Sequence, residues 1–104
     1  MSDIELLGSF EEQVMLAVVR SSTEAYGMAV RRELERVTGR DVTIGAVYAT
    51  LDRLEAKRFV RSTRAAGASR RMFALTRSGA AALAETRAIR ERLWKGIDPE
   101  RLLA

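Results

Sequence analysis

The stretch from Thr43 to Val60, TIGAVYATLDRLEAKRFV, constrains the chain more than any other. Val47, Leu51 and Leu54 recur at i, i+4 and i+7, so the stretch is predicted to be a helix with one buried side. Thr43 suits the N-cap, and Phe59 and Val60 lead on toward a strand. The opposite side carries Gly45, Tyr48, Ala49, Asp52, Arg53 and Ala56. A solvated helix face is normally rich in Lys, Glu and Gln. A face of small residues with one phenol and one guanidinium is shaped to lie closely against another body, unless its alanines are accidental.

Two helices are predicted ahead of it. Ser9 to Arg20 begins with the capping-box pattern Ser9-x-x-Glu12. Phe10, Val14, Ala17 and Val18 make one face, and Met15, Leu16 and Val19 extend the apolar surface almost all round. Such a helix is buried on more than one side, either in its own core or shared with a second subunit. Ala25 to Thr38 follows, with Tyr26, Val30, Leu34 and Val37 as its stripe and Gly39 as its stop. Gly27 lowers helix propensity by about 1 kcal/mol against Ala, so close approach of a neighbour is its expected use. Val42, in the short connection, is a candidate for brief sheet pairing. Two helices joined by a short turn, the second with a small-residue face, make a helix-turn-helix pattern. Its second helix is suited to a DNA groove.

Val60–Arg64 and Arg71–Leu75 alternate well enough to be strands, and the link between them contains Gly67. Arg61, Arg64, Arg70 and Arg71 cluster there. A basic hairpin after a helix-turn-helix reads as a wing whose arginines contact the sugar-phosphate backbone. Thr76 can cap a last long helix, Arg77 to Lys95. Its seam of Ala82, Thr86, Ile89, Leu93 and Gly96, with Leu83 and Ile97 alongside, has the narrow spacing of a helix that pairs. A second copy is its expected partner; packing back on Ser9–Arg20 is compatible with that. Trp94 either anchors this interface or floors a pocket for a flat apolar ligand. Pro99 opens a final short turn ending in Leu102 and Leu103.

Charge distribution agrees. Net charge is +4, but residues 41–77 alone carry eight Lys or Arg against three acids, while residues 1–40 carry five against seven. A localised basic excess suits a polyanion. The chain has no Cys and no His, which removes thiolate sites, the commonest general base and the commonest zinc ligand. Lys57 and Lys95 sit at helix ends, and Asp41 and Asp52 form no marked acid–base couple, so the chain is expected not to be an enzyme and to need no cofactor. MSDIELLGSF lacks the basic start of a signal peptide, and no apolar run approaches the ~20 residues of a membrane span. A cytoplasmic protein is expected.

Three stretches resemble the PadR family of bacterial transcriptional regulators: Ala25-Tyr26-Gly27, Gly45 to Glu55 with its Gly-x-x-Tyr-x-x-Leu-x-x-Leu-Glu pattern, and Leu75-Thr76-Arg77-Ser78-Gly79. The resemblance spans nearly the whole chain and is similar to the subgroup with a short C-terminal arm. It implies a mainly α fold with a small β hairpin: a winged helix-turn-helix at residues 1–76, then a C-terminal dimerisation helix and tail at 77–104. It further implies a homodimer that binds double-stranded DNA at a two-fold operator, usually as a repressor, with response to a small hydrophobic ligand in many members. A winged-helix module that binds protein instead is the alternative. The DNA-facing residues expected are Thr43, Gly45, Ala46, Tyr48, Ala49, Arg53, Arg64, Arg70 and Arg71. The expected dimer contacts are Val14, Val18, Leu83, Ile89, Leu93, Trp94 and Ile97, with Trp94 also the effector candidate. Two departures stand out. Arg58 occupies a place where the family usually has glycine, and Met72-Phe73 stand where it often has tyrosines.

Overall fold

A computed structural model describes residues 7–64, 67 and 69–104. The reading of the N-terminus as free of a signal sequence, and Ala65, Ala66 and Ala68 of the hairpin link, lie outside the described residues. The order is α1 (Ser9–Ser21), a single 3-10 turn (Ser22–Glu24), α2 (Gly27–Thr38), α3 (Ile44–Ala56), β1 (Val60–Thr63), β2 (Met72–Leu75), α4 (Arg77–Trp94) and α5 (Pro99–Leu102). This is the mainly helical winged-helix architecture with one antiparallel hairpin.

Local chemistry sets most boundaries. Thr43 accepts from the Ala46 amide at 3.1 Å and so caps α3. Thr76 does the same for α4, accepting from Gly79 at 3.0 Å. Gly39 ends α2 with φ of 70°, which glycine adopts without strain. The start of α1 differs from expectation. The cap is Gly8, not Ser9, and it is Glu11 that returns to the Gly8 amide, at 3.0 Å. Glu12 is turned inward instead and accepts from Arg90 of α4 at 2.9 Å.

The core is aliphatic. Met15, Val30, Val47, Leu51, Leu54 and Val60 are fully enclosed, with Phe73 beside them. It draws on α1, α2, α3 and the hairpin, so one contiguous cluster binds the helix-turn-helix to the wing. Val14 and Val18 belong to it, at 0% and 3% exposure. Against the expectation that they meet a second subunit, both are enclosed by their own and offer almost no surface to another copy. The large apolar residues of α1 that stay exposed are Leu16 and Val19. With Leu34 and Val37 they line an open groove of about 390 Å³ between α1 and α2.

The hairpin pairs Val60 with Leu75 and Thr63 with Met72. A third, short contact extends it, but it involves Tyr26, which bridges Met72, and not Val42. The Phe73 amide donates to the Ala25 carbonyl at 2.8 Å. Val42 is occupied otherwise: its carbonyl accepts from Arg31 at 2.7 Å, and its amide donates to Glu35 at 2.9 Å.

α4 leaves the hairpin through a dense junction. The hydroxyls of Thr76 and Ser78 both donate to the Arg58 carbonyl, at 2.6 and 3.0 Å. Gly79 lies directly on the Phe59 carbonyl, and a Cβ there would collide with it. Farther on, Thr86 is buried and accepts from the Leu7 amide at 3.4 Å. Leu83 also packs against the subunit's own core, and Ile89 is half-buried. Beyond Ile89 every residue is exposed, Leu93, Trp94 and Ile97 among them. Among the described residues, no helix is long and apolar enough to cross a membrane.

Candidate nucleic-acid interface

The surface opposite the buried stripe of α3 is open. Thr43, Gly45, Ala46, Ala49, Asp52 and Arg53 are all exposed. Gly45 has empty space around the position of a Cβ. A helix with so little side-chain bulk can approach a groove floor, and Ala can meet a thymine methyl. Arg53 reaches back to Thr50, donating to its hydroxyl at 3.1 Å. That bond satisfies a buried hydroxyl and leaves the rest of the exposed guanidinium available.

Tyr48 has a second duty. Its ring lies over Gly27 of α2, where any Cβ would clash with the phenol. This is the close approach that Gly27 permits: a side chain of α3, not the α3 backbone. The residue as a whole remains 37% exposed, although its hydroxyl end is the part that lies against Gly27.

The hairpin flanks this face with cations, and the structure distinguishes them. Arg61 and Arg64 are exposed. Arg70 stacks on the Tyr26 ring, 4.2 Å from its centre, and Arg32 donates to the Tyr26 hydroxyl at 2.6 Å. Stacking orients a guanidinium without cancelling its charge. Arg71 is differently placed. Its guanidinium donates to Asp52 at 3.2 and 3.3 Å and to Glu55 at 2.8 Å, and it lies over the Phe73 ring. Glu55 also accepts from the Ser62 hydroxyl at 2.6 Å and the Ser62 amide at 3.1 Å. The Ser62 hydroxyl first, then its amide and Arg71, hold the Glu55 carboxyl below its ordinary range against a smaller opposing effect of burial.

One detail corrects the sequence reading, and a second bears out the concern that Arg58 raises in a place usually held by glycine. Phe73 is core, so a hydroxyl at that position would be buried and not offered to DNA; only Met72, half-buried, is a place where a polar contact is forgone. Arg58 does take the left-handed conformation, with φ of 65°. The hydroxyls that grip its carbonyl come from Thr76 and Ser78, which explains why the Leu75–Gly79 stretch accompanies this turn. Sequence reasoning missed the clasp of Arg71 with Asp52 and Glu55. No periodicity links residues that far apart, although the spacing of Asp52 and Glu55 on one helix face was a usable sign.

Trp94 is exposed near the end of α4, and the apolar groove between α1 and α2 does not include it in its lining. Among the described residues no cluster of acidic side chains could hold a metal ion.

A family model described as the transcriptional regulator PadR-like family matches residues 15–85. Comparison with curated proteins gave no match. Among solved structures, the chain is similar to H. salinarum RosR grown from NaBr, with 26% identity and a TM-score of 0.75 over 95% of this chain and 86% of that one. It is also similar to a PadR family transcription regulator from Clostridium difficile R20291, at 20% identity and a TM-score of 0.67, covering 92% of this chain and all of that one. Bordetella bronchiseptica BpsR, whose DNA binding is regulated by 6-hydroxynicotinic acid, shares the fold at 17% identity and a TM-score of 0.70, over 99% of this chain and 76% of that one.

Proposed function

The chain belongs to the PadR-like family of transcriptional regulators, and from that premise we propose that it acts as a homodimeric repressor at a two-fold operator. It is a DNA-binding regulator of the winged-helix type and not an enzyme. The observation that carries the finer reading is the open, small-residue face of α3 between exposed arginines of the hairpin. Each subunit lays the Thr43–Arg53 segment into a major groove, with half-sites about one helical turn, ~34–36 Å, apart. Gly45, Ala46 and Ala49 permit close approach. Arg53 donates to a guanine edge or a phosphate, and the Tyr48 hydroxyl to a phosphate oxygen. Arg64 and Arg70 contact the backbone and position the protein without reading sequence.

The dimer forms through the outer half of α4. Leu93, Trp94 and Ile97 lie exposed on it, and contact with a second copy would remove them from water. Leu16 and Val19 of α1 extend the same kind of surface. A small hydrophobic effector would act by binding the DNA-competent and incompetent dimers unequally, and Trp94 is its candidate contact and reporter.

A titration at several salt concentrations tests the reading, comparing a duplex from the gene's own upstream region with a shuffled one. Tight binding to the first, and weak, steeply salt-dependent binding to the second, is expected. Equal weak binding to both overturns a specific regulator of its own upstream region and leaves a basic winged helix with its operator elsewhere or a protein as its partner.

A further inference from the structure

We infer that Arg71 is a positioning residue: it locks the hairpin to α3 through Asp52 and Glu55 and masks the Asp52 carboxylate on the face turned to DNA. This rests on the reading of α3 and the hairpin as the DNA-facing surface.

Asp52 is an anomaly on that face. Its side chain is 61% exposed, in a row otherwise made of Gly, Ala, Thr, Tyr and Arg. An uncompensated carboxylate beside a phosphodiester chain is repelled by it. Here it is compensated from within the subunit, since both terminal guanidinium nitrogens of Arg71 lie within 3.3 Å of the same Asp52 oxygen.

The geometry of Arg71 argues for a lock and against a phosphate contact. Only 26% of its side chain is exposed. One guanidinium nitrogen also serves Glu55, 2.8 Å away, and the plane rests over Phe73, 4.9 Å from the ring centre. Glu55 in turn holds the amide and hydroxyl of Ser62 in β1. One carboxylate of α3 therefore holds β1 directly and the start of β2 through Arg71. Arg64 directly follows β1 and Arg70 lies two residues before β2, so the lock sets where those cations sit relative to the groove. A lysine cannot replace it, because an ammonium is a point charge and not a planar fork that spans two carboxylates and stacks.

Three variants test this in the full chain: Arg71→Ala, Arg71→Lys and Arg71→Ala with Asp52→Asn. Backbone hydrogen exchange of residues 60–63 and 72–75 is read without DNA, and binding to the upstream duplex across a salt series. Arg71→Ala and Arg71→Lys are both expected to speed exchange in the hairpin. Arg71→Ala weakens binding while the slope of log K against log salt changes by much less than the ~0.9 that one lost phosphate contact removes. Adding Asp52→Asn restores binding by roughly threefold or more, the non-additivity expected of groups in one ion-pair network.

Unchanged hairpin exchange in both single variants overturns the inference. So does a slope lowered by the single-phosphate amount with Arg71→Lys behaving as wild type, which would make Arg71 a phosphate ligand. If the wild-type chain binds neither duplex, the proposed regulator falls, while the exchange measurement still decides the lock.

Discussion

Between Arg77 and Arg90, α4 is fastened to the body at successive turns. Gly79 sits on the Phe59 carbonyl, Thr86 takes the Leu7 amide, and Arg90 pairs with Glu12. From Glu91 to Ala104 every residue is exposed, including Leu93 at 71%. One helix thus runs through two environments. The first half shows what a satisfied surface looks like: a glycine where backbones meet, a threonine where an amide needs an acceptor, an arginine where a buried carboxylate needs a charge. The second half carries Leu93, Trp94 and Ile97, apolar residues that its own subunit leaves about half exposed or more. The contrast teaches that a regular apolar spacing along a helix does not imply one partner for its whole length.

That contrast can be broken at several points. The largest effect is expected at Leu51, fully enclosed in the body. Leu51→Ala should lower unfolding stability by about 2–5 kcal/mol in urea titration, through lost transfer energy and the cavity left behind. Next is Gly79→Ala, since the obstacle is the Phe59 backbone carbonyl and not a movable side-chain tip. Roughly 1–3 kcal/mol should be lost, with α4 displaced from the hairpin; an unchanged midpoint would mean the junction is looser than it looks. Arg58→Gly should instead raise stability, by about 1 kcal/mol, because glycine holds a left-handed φ without strain.

On the exposed half, Leu93→Asp should leave the subunit's own stability within about 0.5 kcal/mol. Its effect should appear in sedimentation, as monomers in place of dimers; an intact dimer would move the interface elsewhere.

The smallest effect is a pH dependence. Burial pushes the Glu11 carboxyl up, but the Gly8 amide and the Lys57 ammonium outweigh it, so its folded value lies below the ordinary 4.5. Glu55 is lowered as well. A carboxylate lowered on folding contributes stability above its unfolded value, and that contribution is lost as pH falls through the folded one. Melting temperature should therefore fall as pH drops below about 4.5, and Glu11→Gln should flatten the fall.

Much of the fold was legible in the sequence because its causes are local. The buried stripe of α3, the caps at Thr43 and Thr76, the stop at Gly39 and the proline at the start of α5 each depend on neighbours within a few residues. The hairpin ends fell within a residue of expectation for the same reason. The open face of α3 was also readable, since a helix period assigns opposite faces without knowing what covers them.

Other features required the chain's path through space. Val14 and Val18 read from the sequence as dimer contacts, and only the arrival of the other elements enclosed them in their own subunit. Spacing pointed to Glu12 as the residue that returns to the cap, but Glu11 does so while Glu12 is held by Arg90. Arg70 and Arg71 are adjacent and alike in composition, yet one stacks on Tyr26 and the other is held by two carboxylates of α3. By itself the sequence determined which segments are helices and strands and which face of each avoids water, because hydrogen-bond period and side-chain direction are properties of the local chain. Only the tertiary structure decided which charge meets which, and which apolar face is covered, because a contact between distant residues depends on the geometry of everything between them.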